Sequence, residues 1–324
     1  MKRIAAAFVL TLATVAVLHA GDAEMLELVG RTMGTTYSVK IFDPPAESEE
    51  ADVHLQVDAL LRRVNDQMST YLKSSEISRF NNSDSTDWFD VSVETAAVVN
   101  FAQQVSAETE GAFDVTVAPL VNARSFGPDP RTETIPDQDR LEELKQSIGF
   151  QKLQVRTDPP ALKKAVPELS VDLSAIAKGH GVDRVVQLLN DAGAEDVFVE
   201  IGGEVRTSGD KDGQWWKVGI QLPDGARNQS MIAHSMSTGA GDDQSMATSG
   251  DYRNFFEVNG VQYSHTIDPR TAKPIDHGTA SVSVVTQGCK EADAWATAIN
   301  VLGPEEGIAV ARRQGLSVLL VSRT

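Results

Sequence analysis

Apolar residues at 53, 57, 60, 61, 64 and 68 recur at the three- and four-residue spacing that places them on one helical face, so Val53–Met68 is expected to form an amphipathic helix. Val93–Thr109 carries a similar stripe behind Ser92, whose hydroxyl suits a helix cap. Leu141–Ile148 and Gly181–Ala192 read as further helices. Short runs rich in β-branched or aromatic residues predict strands at Tyr37–Phe42, Leu153–Val155, Val197–Ile201, Trp216–Gln221, Ser281–Val285 and Leu316–Val321. Asn259-Gly260 is the dipeptide that a type I′ turn favours, which predicts a hairpin with Phe255–Val258 and Val261–Ser264 as its arms. Polar stretches at Asp43–Glu50, Asn81–Asp87, Gly127–Gln138 and Asp210–Gly213 separate these elements as surface loops. Helices and strands mix without strict βαβ alternation, so the expected fold class is α+β, a single elaborated globular domain of mixed sheets and helices.

The N-terminus departs from this pattern. Lys2 and Arg3 precede an apolar run from Ile4 to Leu18, and small residues follow at Ala20, Gly21 and Ala23, the order of a secretory signal peptide. The run falls short of the ~20 residues that span a bilayer. Residues 1–20 are therefore expected to be a cleaved signal, with cleavage as late as residue 23, ahead of one domain over 24–324. The mature chain is expected to be soluble in the periplasm. No cysteine follows the apolar run, so a lipid anchor of the bacterial lipoprotein kind is not expected.

Composition removes several function classes. Of 324 residues 41% are apolar, ample for a sizeable core. Acidic residues outnumber basic ones 46 to 29, a net charge of −17, which leaves no surface-wide attraction to phosphate backbones or anionic lipid. The one cysteine, Cys289, makes no intramolecular disulfide, and without a CxxC or Cys/His cluster any metal must be held by oxygen or histidine.

Four segments concentrate chemistry. In Val171-Asp-Leu-Ser-Ala-Ile-Ala-Lys-Gly-His-Gly-Val-Asp183, Lys178-Gly179 opens a helix, and such a turn brings backbone N–H groups and an ammonium close to a phosphate. A capped helix start with a solvated lysine explains it equally. Glu200-Ile-Gly-Gly-Glu204 is either a tight turn or a place of close ligand approach. Met246–Phe255 and Tyr263–Thr271 gather hydroxyls, Arg253, His265 and Asp268 around the hairpin. In Glu291–Asn300, Asp293 and Thr297 stand four apart on one helix face and offer the hard oxygens that magnesium prefers. A first-turn aspartate facing the helix dipole, with a threonine bonded to its own carbonyl, is the alternative.

Together these segments carry a resemblance. Gly30-Arg-Thr-Met-Gly-Thr-Thr36, Met68-Ser-Thr-Tyr71 through Asn81, Gly111-Ala-Phe-Asp-Val-Thr-Val-Ala-Pro-Leu120, Asp172 to Gly179, Gly202-Gly203, Thr248-Ser-Gly-Asp251, His265-Thr-Ile-Asp-Pro269 and Ala292-Asp-Ala-Trp-Ala-Thr297 occur in this order and resemble the ApbE family of FAD:protein FMN transferases. The resemblance spans nearly all of the mature chain. It implies an exported enzyme that binds FAD and Mg²⁺, moves FMN to a threonine or serine hydroxyl of a target protein, and releases AMP. By the same resemblance magnesium would be held by Asp293 and Thr297 with carbonyls near Ala175 and Ala296. Flavin and nucleotide contacts would fall to Met33, Tyr71, Ala112, Phe113, Asp114, Asp172, Lys178 and Ile267. His265 is the candidate for moving the proton, with Asp251 or Asp268 as alternative bases. Implied partners are subunits of membrane redox complexes of the sodium-pumping NADH:quinone reductase (Nqr), Rnf or nitrous-oxide-regulator type. Two positions depart from the family pattern: Ala272 stands where glycine is usual, and Glu204 where an amide is common. Competing readings are an FAD pyrophosphatase yielding FMN and AMP, and a non-catalytic FAD-binding protein.

Overall fold

The computed structural model describes residues 25–46, 49–124, 127, 136–221, 223, 230–236, 243–250, 255–258, 261–264 and 266–323. A hairpin of β1 (Met25–Thr32) and β2 (Thr35–Phe42) leads into α1 (Glu50–Met68), α2 (Glu76–Asn81), β3 (Phe89–Asp90) and α3 (Val93–Glu108). Short helices α4 (Ala118–Ala123) and α5 (Gln138–Lys145) precede a second hairpin, β4 (Leu153–Thr157) and β5 (Pro160–Lys164), and then α6 (Ala177–Asp191). β6 (Asp196–Ile201), β7 (Glu204–Ser208), β8 (Trp216–Gln221), β9 (Ser230–Met236) and β10 (Gln244–Gly250) form the middle of the chain. It ends with β11 (Phe255–Val258), β12 (Val261–Ser264), β13 (Ile267–Asp268), β14 (Lys273–Pro274), β15 (Thr279–Thr286), α7 (Cys289–Gln314) and β16 (Ser317–Ser322).

Seven strands make one antiparallel sheet in the order β1-β2-β6-β7-β10-β15-β16. Alternation in β2 and β6 turns Tyr37, Val39, Ile41, Val197, Val199 and Ile201 to one face, where they bury against Val57, Leu61, Val182 and Val185 of α1 and α6. α7 covers the other half of that face: Ala294, Ala298 and Ile299 pack with Ala247, Val282 and Val284. On the opposite face, Trp216, Val218 and Ile220 of β8 close over Val205 and Met246. A small sheet, β3-β5-β4, packs with α3 at one end. The expected α+β class is the one observed, and the hairpin arms pair as Phe255 with Ser264 through Val258 with Val261.

Boundaries moved where caps act at a distance. Ser92 caps α3 as expected, its hydroxyl accepting from the Thr95 N–H at 3.2 Å. α5 starts at Gln138 rather than Leu141 because Asp137 accepts from the Arg140 N–H at 2.8 Å. α6 starts at Ala177 rather than Gly181, although its N-cap residue, Ile176, has no capping side chain. Its missing cap comes from α7, where Asp293 Oδ2 accepts from the Gly179 N–H at 3.0 Å. α6 returns the favour: Asp183 Oδ1 and Oδ2 accept from the Cys289 and Lys290 N–H groups at 2.8 and 2.9 Å. The two helix starts are so close that a Cβ on Gly179 would lie 2.3 Å from the Cys289 carbonyl oxygen. Glycine is required there for approach, not for φ. α7 itself breaks at Gly303 (φ 75°), followed by Pro304. No helix among the described residues is long and apolar enough to cross a membrane.

Candidate active site

A cleft of about 1430 Å³ opens between the α1 end, the α6 start, the β6–β7 turn, β8, β10 and α7. Met33, Tyr71, Ala112, Phe113, Asp114, Asp172, Lys178 and Ile267 all line it, as do Ala175, Asp293 and Thr297. Residues scattered over some 260 positions of chain thus meet in one place. Ala296 does not line it: the side chain is 1% exposed within the α7 core face, and the helix stays regular there until Gly303. Asp268 also lies outside the lining, where Arg270 holds both its oxygens at 3.0–3.2 Å. His265 and Asp251 lie outside the described residues.

The floor of the cleft is ionic. Lys178, in the first turn of α6, places Nζ 2.5 Å from Glu204 Oε1 and 3.8 Å from Asp293 Oδ1. Burial works against the ammonium, but the Asp293 and Glu204 carboxylates outweigh it and hold Lys178 charged well above the ordinary lysine range. Burial raises the Asp293 carboxyl, which Lys178 and the Gly179 N–H counteract. Glu204, 3% exposed, is pushed by burial up to about 7 despite the lysine beside it. Its Oε2 is buried without a hydrogen-bond partner. Sequence reasoning did not count Glu204 as a site residue. The available signal was an acid in a strand between a Gly-Gly turn and an apolar residue, where an unpaired charge is costly.

Around the floor the backbone is shaped for approach. Gly202 (φ +64°) and Gly203 (φ +111°) turn the chain from β6 to β7, and a Cβ on Gly203 would meet no atom within 4 Å. A side chain on Gly202 would clash with Thr35, whose Cγ2 lies 2.9 Å from the ideal Cβ position, and would touch the Lys178 stem at 3.4 Å. Met33 and Gly34 form the two-residue β1–β2 turn with φ of 48° and 74°, the backbone of a primed turn, which is strained for methionine. Asp114 is structural as well as lining: Oδ1 accepts from the Thr116 N–H at 2.8 Å and Oδ2 from the Phe150 N–H at 2.7 Å. Burial raises its carboxyl, with these bonds opposing. Asp172 accepts from the Ser174 N–H at 2.8 Å and fixes the turn that presents Ala175. Phe113 is core and lining at once, at 2% exposure, whereas Tyr71 stands 67% exposed at the mouth.

Comparison with known proteins decides the family. The model of the ApbE family matches residues 33–320. The chain belongs to the ApbE family. The FAD:protein FMN transferase of Vibrio cholerae is 44% identical over 303 residues, covering 93% of this chain and 89% of that protein. The solved structure of the flavin transferase ApbE from Vibrio cholerae superposes with a TM-score of 0.84 at 43% identity, covering 94% of this chain and 95% of that one. The apo flavinyl transferase ApbE of Pseudomonas stutzeri gives 0.84 at 35% identity, covering 94% and 93%.

The donor set of this ApbE-family chain suits magnesium. Because the Gly179 N–H goes to Asp293, no backbone N–H among the described residues bonds the Ala175 carbonyl, which borders the cleft. Asp293 Oδ1, Thr297 and this carbonyl offer one charged and two neutral hard oxygens. The described residues hold no cluster of three His, Cys, Asp or Glu side chains. That arrangement fits an ion that keeps waters and phosphate oxygens in its shell rather than one caged by protein.

Proposed function

We infer that the chain transfers FMN from FAD to a threonine or serine hydroxyl of a target protein, forming a phosphoester bond and releasing AMP. The observation that carries this reading is the cleft floor, where the charged Lys178, Asp293 and the Gly202–Gly203 turn converge at the head of α6. Attack of the hydroxyl oxygen on the FMN-side phosphorus forms one P–O bond and breaks the bridging P–O bond to AMP. Negative charge then builds on the non-bridging oxygens and the leaving phosphate. Lys178 meets that charge as a fixed donor, which costs no reorganisation during reaction, and the dipole of α6 adds to it. Magnesium, held by Asp293, Thr297 and the Ala175 carbonyl, would add Lewis-acid neutralisation of the pyrophosphate. The exposed Tyr71 ring, with Phe113 in the cleft wall, supplies aromatic surface for an isoalloxazine or adenine plane. The acceptor proton needs a base, a role for which His265 and Asp251 remain the candidates; Asp268, ion-paired with Arg270, holds its turn.

Targets on this reading are subunits of membrane redox complexes of the sodium-pumping NADH:quinone reductase, Rnf or nitrous-oxide-regulator type. The Lys2–Arg3 and Ile4–Leu18 pattern supports export to the periplasm with loss of about the first twenty residues. N-terminal sequencing of the exported protein checks this, and a sequence starting at Met1 contradicts it. For the activity, the chain is incubated with FAD, magnesium and a candidate target domain, and the intact mass of the target is read. The expected gain is FMN less water, with AMP in equal amount. Appearance of AMP and free FMN with an unmodified target makes the protein a pyrophosphatase instead.

A further inference from the structure

We propose that Glu204 sets the loading order of the cleft by giving its floor a net negative charge that favours a divalent cation and disfavours FAD until the cation is in place. The inference rests on the flavin-transfer reading above. Two carboxylates, Glu204 and Asp293, face one ammonium, Lys178, so the ionised floor carries a formal charge of −1. Arg206, the next basic residue on β7, is committed to Asp183 and Asp243 at 2.7 and 2.8 Å, and Arg62 and Lys217, which also line the cleft, are outnumbered among the described lining residues by the acids Asp66, Asp114, Asp172 and Glu200. Glu204 is 3% exposed, lines the cleft, and leaves Oε2 buried without a partner, so its charge is directed at whatever occupies the floor rather than dissipated in water. A pyrophosphate dianion entering alone meets this field as repulsion, and a divalent cation meets it as attraction. Once the cation is seated, the floor becomes positive and the dianion is drawn in.

Glu204 is a positioning residue by this account, because it acts through the charge it presents and through Lys178. Its removal has a signature that loss of structure does not. Glu204→Gln keeps the shape and an oxygen for the Lys178 bond, and removes only the charge. At pH 8, above the value of about 7 to which burial raises Glu204, FAD binding by the full chain is read by flavin fluorescence in EDTA, and Mg²⁺ binding without FAD by calorimetry. Glu204→Gln is expected to tighten FAD binding in EDTA at least tenfold and to weaken Mg²⁺ binding at least tenfold, opposite shifts from one substitution, since one charge at ~4 Å near a protein surface is worth on the order of a thousandfold before screening by salt. Glu204→Asp, which keeps the charge, is expected to hold both affinities within about threefold of the parent. Weakening of both ligands by Glu204→Gln, or no change in FAD affinity, overturns the proposal. A parent that binds no FAD with or without Mg²⁺ overturns the flavin-transfer reading itself, and the proposal falls with it.

Discussion

Asp293 performs three tasks that a single substitution would separate. Its Oδ2 caps α6 through the Gly179 N–H, its Oδ1 faces Lys178, and its carboxylate is the one charged oxygen in the proposed magnesium shell. Asp293→Ala leaves Tyr71, Phe113 and the Gly202–Gly203 turn in place, so recognition of FAD should outlast chemistry. We expect FMN transfer to fall at least 100-fold, in line with several kcal/mol of lost charge stabilisation, while FAD binding persists. FAD titration by fluorescence beside transfer read from target mass, each with magnesium and with EDTA, checks this; transfer near the parent rate would reduce Asp293 to a helix cap. Lys178→Met makes the complementary case. It removes the ammonium but keeps an apolar stem for Gly202 to rest on, and it leaves Glu204 and Asp293 facing each other uncompensated. Transfer should again drop by at least 100-fold, with FAD binding weakened in the same titration. At this scale the sequence pointed by a spacing to Asp293 and Thr297, and both line the cleft. It was silent where a residue's role depends on a neighbour distant in sequence, as with Glu204 under Lys178.

The pairing of α6 with α7 is the element on which the site hangs. Each helix start is capped by an aspartate of the other, Asp293 for α6 and Asp183 for α7, and the contact is tight enough to exclude a methyl group at Gly179. Glycine to alanine inside a helix normally gains up to about 1 kcal/mol. Here the added Cβ meets backbone, which has no rotamer by which to yield, so Gly179→Ala should instead cost about 1–3 kcal/mol as the helices part. Urea unfolding midpoints of the two proteins measure the sign, and a stabilised variant would show that the helices separate freely. The reason such a contact is hard to read in sequence is also why periodicity places the start of α6 at Gly181, although the turn at Lys178-Gly179 points to an earlier one: a helix whose cap lies 114 residues away has no local capping residue. Strong local patterns fared better. α1, α3, β2, β6 and β8 fall where periodicity placed them, within a few residues at each end. Among the unforeseen strands, the three that belong to the large sheet, β1, β7 and β10, have weak alternation. β1 is an edge strand with Leu28 and Thr32 its only buried residues, and β10, Gln-Ser-Met-Ala-Thr-Ser-Gly, is mostly small and polar because it lies along the cleft and under α7.

Across the whole molecule, stability against pH is a sum over groups whose proton affinity changes on folding, and here two buried groups pull in opposite senses. Glu204, raised to about 7, binds a proton more readily in the folded chain, so its contribution is present at low pH and lost as pH rises toward 7. His180 does the reverse. It lies in α6 at 8% exposure with Nε2 lacking a partner, and burial lowers its pKa from 6.5 to about 4. Asp183 and Glu94 favour the charged ring and Lys290 and Arg184 oppose it, but none outweighs burial. A depressed folded pKa means that the unfolded chain takes up the proton first, so the stability His180 contributes is intact above about 6.5 and drains away as pH falls toward 4. Between pH 7 and pH 5 that loss is about 2 kcal/mol, at ~1.4 kcal/mol per pH unit. Phenylalanine preserves the planar ring and removes the titration. Relative to the parent, His180→Phe should therefore gain about 2 kcal/mol of unfolding free energy on going from pH 7 to pH 5, whatever its offset at pH 7. Urea denaturation of both proteins at the two pH values, in EDTA so that no cation enters the balance, reads this difference directly. An offset that stays constant with pH would mean that His180 is protonated as easily inside the fold as outside it, and that the burial of its ring carries no electrostatic cost.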